Sequence, residues 1–151
     1  MKTLVLGLGN DILADDAVGV LAARALAEEL NERADVKETS EHGIALLDHL
    51  LGYERVIFLD AIQTGSHEPG TIIEIDPASL SAVYAPSPHY AGLPELLAIA
   101  WQLKLDFPSH FRIFAVEIAD ALTIGGAMTP TVRAAIGDLC DRVRAALDEP
   151  F

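Results

Sequence analysis

Two short runs of the chain are apolar without interruption, Thr3-Leu4-Val5-Leu6 and Val56-Ile57-Phe58-Leu59. That is the pattern of strands covered by helices on both faces, not of strands with one wet face, and it predicts the central strands of a sheet. Between them Val18, Leu21, Ala22, Ala25, Leu26 and Leu30 recur at helical spacing and define the apolar face of one helix, while Ile44, Leu47 and Leu50 define a second, shorter one. Val36 to Thr39 lies between the two helices and reads as an edge strand. Further along, Thr71-Ile72-Ile73-Glu74-Ile75 and Phe111 to Val116 have strand character, and Leu93 to Trp101 and Val132 to Leu147 have helical period. Strands alternating with helices in this way predict an α/β fold, a three-layer αβα sandwich with a twisted, mostly parallel sheet and right-handed crossovers. The polar stretches Gln63 to Pro69 and Pro77 to Pro88 are of loop length. With no repeat, low-complexity tract or linker, the pattern is that of one domain over residues 1–151.

Composition agrees with that architecture and narrows the ligands. A chain of 151 residues with 51% hydrophobic and 22% charged residues has enough apolar surface for a core without staples. Its net charge of −13 repels a phosphate backbone, and no basic stripe offsets it, so nucleic acid is not an expected partner. The lone Cys140 permits no internal disulfide and no multi-cysteine zinc site, which fits a reducing compartment. Leu4 to Leu8 is too short for a signal peptide or a membrane span. A cytoplasmic protein with no membrane insertion is therefore expected.

The candidate chemistry clusters after the strands. Gly7-Leu8-Gly9-Asn10 resembles the opening of a dinucleotide-binding fingerprint, but Ile12 stands where the third glycine belongs, and the helical pattern begins only at Val18. No Walker-type phosphate loop is present, and no nucleotide cofactor is expected. Asp15 and Asp16 stand where the first helix should start, a position that suits a cap or an ionised, metal-binding carboxylate. Asp60 ends the run Val56 to Leu59 and so projects from the carboxyl edge of a central strand, the edge at which open α/β sheets bind ligands. In a parallel sheet the loop carrying Asp16 opens on that same edge. His89, held between Pro88 and the helix from Leu93, is the best third member, and the three make a partly exposed donor set suited to a borderline divalent ion. His42, in the turn Glu41-His42-Gly43 after the second strand, is placed to open onto the same edge. There is no Gly-x-Ser-x-Gly elbow, no His-Glu-x-x-His helix and no Asp-Thr-Gly signature, and Cys140 falls on the apolar face of the last helix, as core packing. These residues by themselves leave open a nucleotide-binding module on Gly7 and Gly9, or a non-enzymatic carrier or adaptor for a divalent metal ion.

Leu6-Gly7-Leu8-Gly9-Asn10-Asp11-Ile12-Leu13-Ala14-Asp15-Asp16-Ala17-Val18-Gly19 resembles the N-terminal signature of the hydrogenase maturation endopeptidases. Phe58-Leu59-Asp60-Ala61, Ser87-Pro88-His89-Tyr90-Ala91-Gly92-Leu93 and Met128-Thr129-Pro130-Thr131-Val132 resemble later motifs of that family in the same order. The resemblance covers nearly the whole chain. It implies a sheet of about five strands and an endopeptidase that removes the C-terminal extension of a nickel-iron hydrogenase large-subunit precursor. It also implies that the family's nickel-contacting residues fall on Asp16, Asp60 and His89, and that Asn10, His42 and Gly43 meet the substrate. Glu41-His42-Gly43 departs from the family's usual Gly-Gly turn, and Asp16 is one methylene shorter than the glutamate of some relatives. Two carboxylates and one imidazole without thiolates give modest standing affinity for nickel, so the ion is expected to arrive with the precursor. Its role is open between polarising the scissile bond and positioning the tail. The protein is expected to be a monomer.

Overall fold

The computed structural model describes residues 2–80, 87–90 and 92–150. A five-stranded sheet runs in the order β2-β1-β3-β5-β4, from β1 (Thr3–Leu8), β2 (Asp35–Thr39), β3 (Arg55–Ile62), β4 (Ile72–Ile75) and β5 (His110–Glu117). All neighbours are parallel except β4, which closes one edge antiparallel to β5. The three-layer αβα sandwich with its mostly parallel sheet is therefore the observed architecture. Every residue of β1, and every residue of β3 after Arg55, is buried, as the uninterrupted apolar runs require. The short β2, at the other edge, is mostly exposed.

Strand alternation divides the core in two. Val5, Ile57, Leu59, Phe114 and Val116 point to the face covered by α1 (Val18–Leu26) and α4 (Pro130–Asp148). Leu4, Leu6, Phe58, Ile113 and Ala115 point to the face covered by α2 (Leu47–Leu50), α3 (Leu93–Gln102) and Tyr90. Cys140 is buried in the first of these, its thiol against the Ala22 carbonyl at 3.8 Å, and burial raises its pKa. No helix among the described residues is long and apolar enough to cross a membrane.

Three elements differ from the sequence expectation. The first helix ends at Leu26, with Leu30 buried beyond it, and it buries Gly19, Val20 and Ala23 while leaving Ala25 exposed. It rolls this way because Gly19 lets the helix descend onto the sheet. A Cβ there would stand 2.3 Å from the Leu59 carbonyl oxygen and 3.0 Å from that of Leu8. Gly19→Ala is expected to cost about 2–3 kcal/mol of stability through overpacking against backbone that cannot yield, measured by denaturant unfolding. Second, β3 runs on to Ile62 and carries Asp60 inside it, because β5 continues to pair beyond the charge, with Asp60 opposite Ala115 and Ile62 opposite Glu117. A strand can hold a carboxylate that a sequence reading takes for its end. Third, neither Asp15 nor Asp16 caps a helix: a one-turn 3-10 helix, Asp15–Ala17, leads into α1, and neither helix start has a side-chain cap. Residues 81–86, the middle of the stretch read as one loop from Pro77 to Pro88, and Ala91 of the third motif lie outside the described residues.

Candidate active site

The connection leaving β1 through α1 lands on β2 at one side, and the connection leaving β2 returns to β3 at the other. Open α/β sheets form a crevice at such a reversal, outside the carboxyl ends of the two strands. Here that crevice lies between β1 and β3. The β1 register with β3 ends at Gly7 opposite Leu59, so Asp60 is the first residue of β3 beyond the paired length of β1. It alternates with Leu59 and therefore points to the α2/α3 face, toward Ser87, His89 and Tyr90.

The β1–α1 loop supplies the second group. Gly9 turns the chain with φ +146, a conformation that side chains rarely adopt, and a Cβ there would lie 2.2 Å from the Asp16 carbonyl oxygen. This contact lets Asp16 fold back, and its Oδ2 accepts the Asn10 backbone N–H at 2.8 Å. The Asn10 side chain in turn accepts the Ile12 N–H at 3.1 Å. Gly7 packs against Gly19 and Ala23. Both glycines of the partial fingerprint thus serve contacts within the chain.

His89 sits in a 3-10 turn, Pro88–Tyr90. Its Nδ1 lies 2.8 Å from the Glu41 backbone carbonyl. A carbonyl only accepts, so Nδ1 carries the proton and donates, and in the neutral ring Nε2 bears a free lone pair. That nitrogen stands 3.9 Å from Asp60 Oδ1. The His42 ring tilts against the His89 ring with centroids 4.9 Å apart. Gly43, the residue after His42, is buried with φ 52 and starts the turn that leads into α2. Gly9, Asn10, Leu13, Asp16, Ser40, His42, His89 and Ala121 line one cleft of about 360 Å³. A larger hollow of about 540 Å³ lies at the opposite end of the sheet, where β5 begins, with mainly apolar walls that also include Asp76 and His110.

Asp60 is the electrostatic anomaly of the site. It is fully buried, and Oδ1 accepts the adjacent Ala61 N–H at 2.8 Å. Burial pushes its pKa up to about 6, although His89, Ser87, the Ala61 N–H and Tyr90 draw it back down. Ser87 and Tyr90 thus act on the carboxylate, yet Oδ2 and the Tyr90 hydroxyl are both buried without a partner in hydrogen-bonding geometry among the described residues. The Tyr90 hydroxyl is itself pushed well above its ordinary pKa, first by burial and then by Asp60.

Asp16, Asp60, His89, Asn10 and His42 therefore converge on one edge, with three differences from the expected site. Asp60 and His89 are buried, not partly exposed, because the Ser87–Tyr90 segment folds down over β3. Asp60 lies beneath the cleft wall instead of in it. Among the described residues, no three His, Cys, Asp or Glu side chains stand close enough to hold a metal ion by themselves. Sequence reasoning placed Asp15 beside Asp16 at the start of the first helix, as a cap or a metal-binding carboxylate, and missed its role. Its carboxylate is fully buried and accepts Thr129 N–H at 2.7 Å, Thr129 Oγ1–H at 2.7 Å, Ala119 N–H at 3.1 Å and Asp120 N–H at 2.9 Å. It joins the β1–α1 loop to the β5–α4 connection. Its partners lie more than 100 residues away, so only its adjacency to Asp16 was visible.

Comparison with known proteins places the chain in a family. Residues 20–146 match the family model described as HycI, hydrogenase maturation protease. The chain is 32% identical to the hydrogenase 2 maturation protease of Escherichia coli strain K12, over 99% of this chain and 92% of that protein. It is 31% identical to the hydrogenase expression/formation protein HupD of Rhizobium leguminosarum bv. viciae, over 89% of this chain and 68% of that one. The fold superimposes on the hydrogenase maturating endopeptidase HybD from E. coli with a TM-score of 0.80, 30% identity, and coverage of 98% and 93% of the two chains. A five-stranded sheet with the crevice at its reversal point, a full-length match in sequence and a full-length match in structure lead to one conclusion: this chain belongs to the hydrogenase maturation protease family and is a hydrogenase maturation endopeptidase.

Proposed function

We propose that this endopeptidase removes the C-terminal extension of a nickel-loaded nickel-iron hydrogenase large-subunit precursor, and that Asp16, Asp60 and His89 contact the nickel the precursor carries. The observation that carries this reading is the buried Asp60 carboxylate with an unpartnered Oδ2 beside the free Nε2 of His89. An ionised carboxylate out of water is costly unless a cation or donor completes it, and a neutral imidazole whose Nδ1 is held by a carbonyl is the usual form of a metal-binding histidine. Asp16 adds a second carboxylate on the open cleft.

These donors number three, include no thiolate, and do not by themselves form a closed cluster. Zinc-type and nickel-type sites need four or more ligands to be tight. The precursor's own ligands complete the set, so the ion bridges enzyme and substrate, and only a loaded precursor presents its tail correctly. Asn10, His42 and Gly43 border the approach and contact the substrate chain. Asn10 is held by Asp16, and the His42 ring lies tilted against that of His89.

The test is mass analysis of purified large-subunit precursor, prepared with and without nickel and incubated with this protein. The nickel-loaded form is expected to lose its C-terminal peptide, and the nickel-free form under chelator to stay intact. Equal cleavage of both forms would overturn the bridging role while leaving the family assignment standing.

A further inference from the structure

Beside the residues that line the cleft, the chain leaves several large apolar side chains in water. Ile12, Ile44, Leu122 and Ile124 are each between 56% and 84% exposed. Each adjoins a cleft residue: Ile12 precedes Leu13, Leu122 follows Ala121, Ile124 forms a β-bridge with Leu13, and Ile44 is two residues beyond His42. Single exposed apolar residues are ordinary on a protein surface, but a group gathered around one cleft is not.

The segment that carries Leu122 and Ile124 is held rigid. Asp15 pins Ala119 and Asp120. Asp120 Oδ1 accepts the N–H groups of Leu122 and Thr123, both at 3.0 Å. The backbone then closes onto the β1–α1 loop, with Ala14 N–H donating to Thr123 O at 2.9 Å and Gly125 N–H to Ile12 O at 2.9 Å. A loop ordered to this degree, with its isoleucine and leucine turned outward, has already met the entropic cost that binding would otherwise impose. Charge around the cleft is one-sided. Asp11, Asp16, Glu38, Glu41 and Asp120 belong to the segments that carry the cleft and the apolar residues, against Arg24, which is paired with Asp11 and Glu38, and Arg133, which shares a hollow with Ile12.

We propose that Ile12, Ile44, Leu122 and Ile124 form the docking surface for an apolar segment of the precursor that carries no net negative charge and adjoins the bond to be cut. The proposal rests on the precursor being the substrate. The occupant follows from continuity: a chain whose scissile bond enters this cleft must cross its rim. The acidic border repels an acidic partner and, with the net charge of −13 on each copy, disfavours a second copy of this protein on the same surface.

The test uses the nickel-loaded precursor as probe. The double variant Leu122→Ser/Ile124→Ser is compared with wild type in steady-state cleavage. Its binding is measured by titration in a His89→Ala background, which keeps the precursor uncut. Apparent KM and Kd are expected to rise about tenfold or more with kcat within about twofold, since removal of buried apolar anchors weakens docking and not chemistry. Melting should be unchanged because both residues are exposed. A control pair, Ile99→Ser/Leu103→Ser, at the opposite end of α3 and also exposed, should leave KM and Kd as in wild type.

Wild-type KM and Kd in the cleft-rim variant would overturn the proposal, and so would an equal loss in the control pair. Loss of a self-dimer by sedimentation with precursor affinity unchanged would overturn it in favour of self-association. If the nickel-bridging reading alone is wrong, nickel-free precursor is cleaved equally while the docking defect persists, so the two failures are distinguishable.

Discussion

Asp60→Asn is expected to abolish precursor processing and, at the same time, to make the folded protein more stable at neutral pH. Burial raises the Asp60 pKa from an ordinary 3.8 to about 6, so the folded state holds this proton more tightly than the unfolded chain does. Ionising the group above pH 6 therefore costs stability, and the difference between the two pKa values corresponds to about 3 kcal/mol. Asparagine is nearly isosteric, never ionises, and retains an acceptor for the Ala61 N–H. Its amide hydrogens can serve the unpartnered Tyr90 hydroxyl.

The sign is the opposite of that for a salt-bridged aspartate. Wild-type stability from this group rises as pH falls through about 6 toward 4. The advantage of the variant is thus full above pH 6, shrinks between 6 and 4, and is absent below 4. Denaturant unfolding of both proteins at pH 7.5 and pH 4 measures this directly, beside a processing assay at neutral pH. An asparagine variant that is less stable than wild type at pH 7.5 would show that Asp60 is a structural anchor. One that is more stable yet processes normally would remove Asp60 from the site. Gain of stability with loss of activity is the signature of a residue kept charged in the interior for function.

The second large effect concerns the neighbour of Asp16. Asp15→Ala is expected to lower stability by about 3–5 kcal/mol, because it leaves the N–H groups of Ala119, Asp120 and Thr129 and the Thr129 hydroxyl without their buried acceptor. For a chain of this length that amounts to a fall in melting temperature of roughly 10 °C or more. Asp15→Asn keeps one acceptor oxygen but turns an amide toward N–H donors, and should fall between wild type and the alanine variant. Processing should fall as well, since the β5–α4 connection and the β1–α1 loop both border the cleft and lose their common tie. A melting temperature within about 2 °C of wild type for Asp15→Ala would contradict this assignment. The adjacent substitution Asp16→Ala removes one exposed-side hydrogen bond, that from Asn10, and should cost at most about 1 kcal/mol while eliminating processing. Two aspartates side by side in the sequence are thus expected to separate, one tying two loops and the other lining the cleft.

Much of this molecule was legible in its sequence because the relevant signals are local. Uninterrupted apolar runs mark strands buried on both faces, and so β1 and β3 were assignable as the centre of the sheet; helical spacing located α1, α3 and α4. From parallel strands it follows that the β1–α1 loop and the end of β3 share one edge, so the sequence alone places Asp16 and Asp60 on the same side of the sheet. What only the tertiary structure decided are the matters that depend on partners distant in the chain. Asp60 lies within β3, and not at its end, because β5 goes on pairing past it. It and His89 are buried because the Ser87–Tyr90 turn closes over the strand, and that closure is what raises the Asp60 pKa. The tautomer of His89 is set by a carbonyl 48 residues away, and Asp15 faces groups 104 to 114 residues away. Periodicity reports which face of an element is dry. It carries no record of which other segment arrives to dry it, or of the polar groups that segment brings.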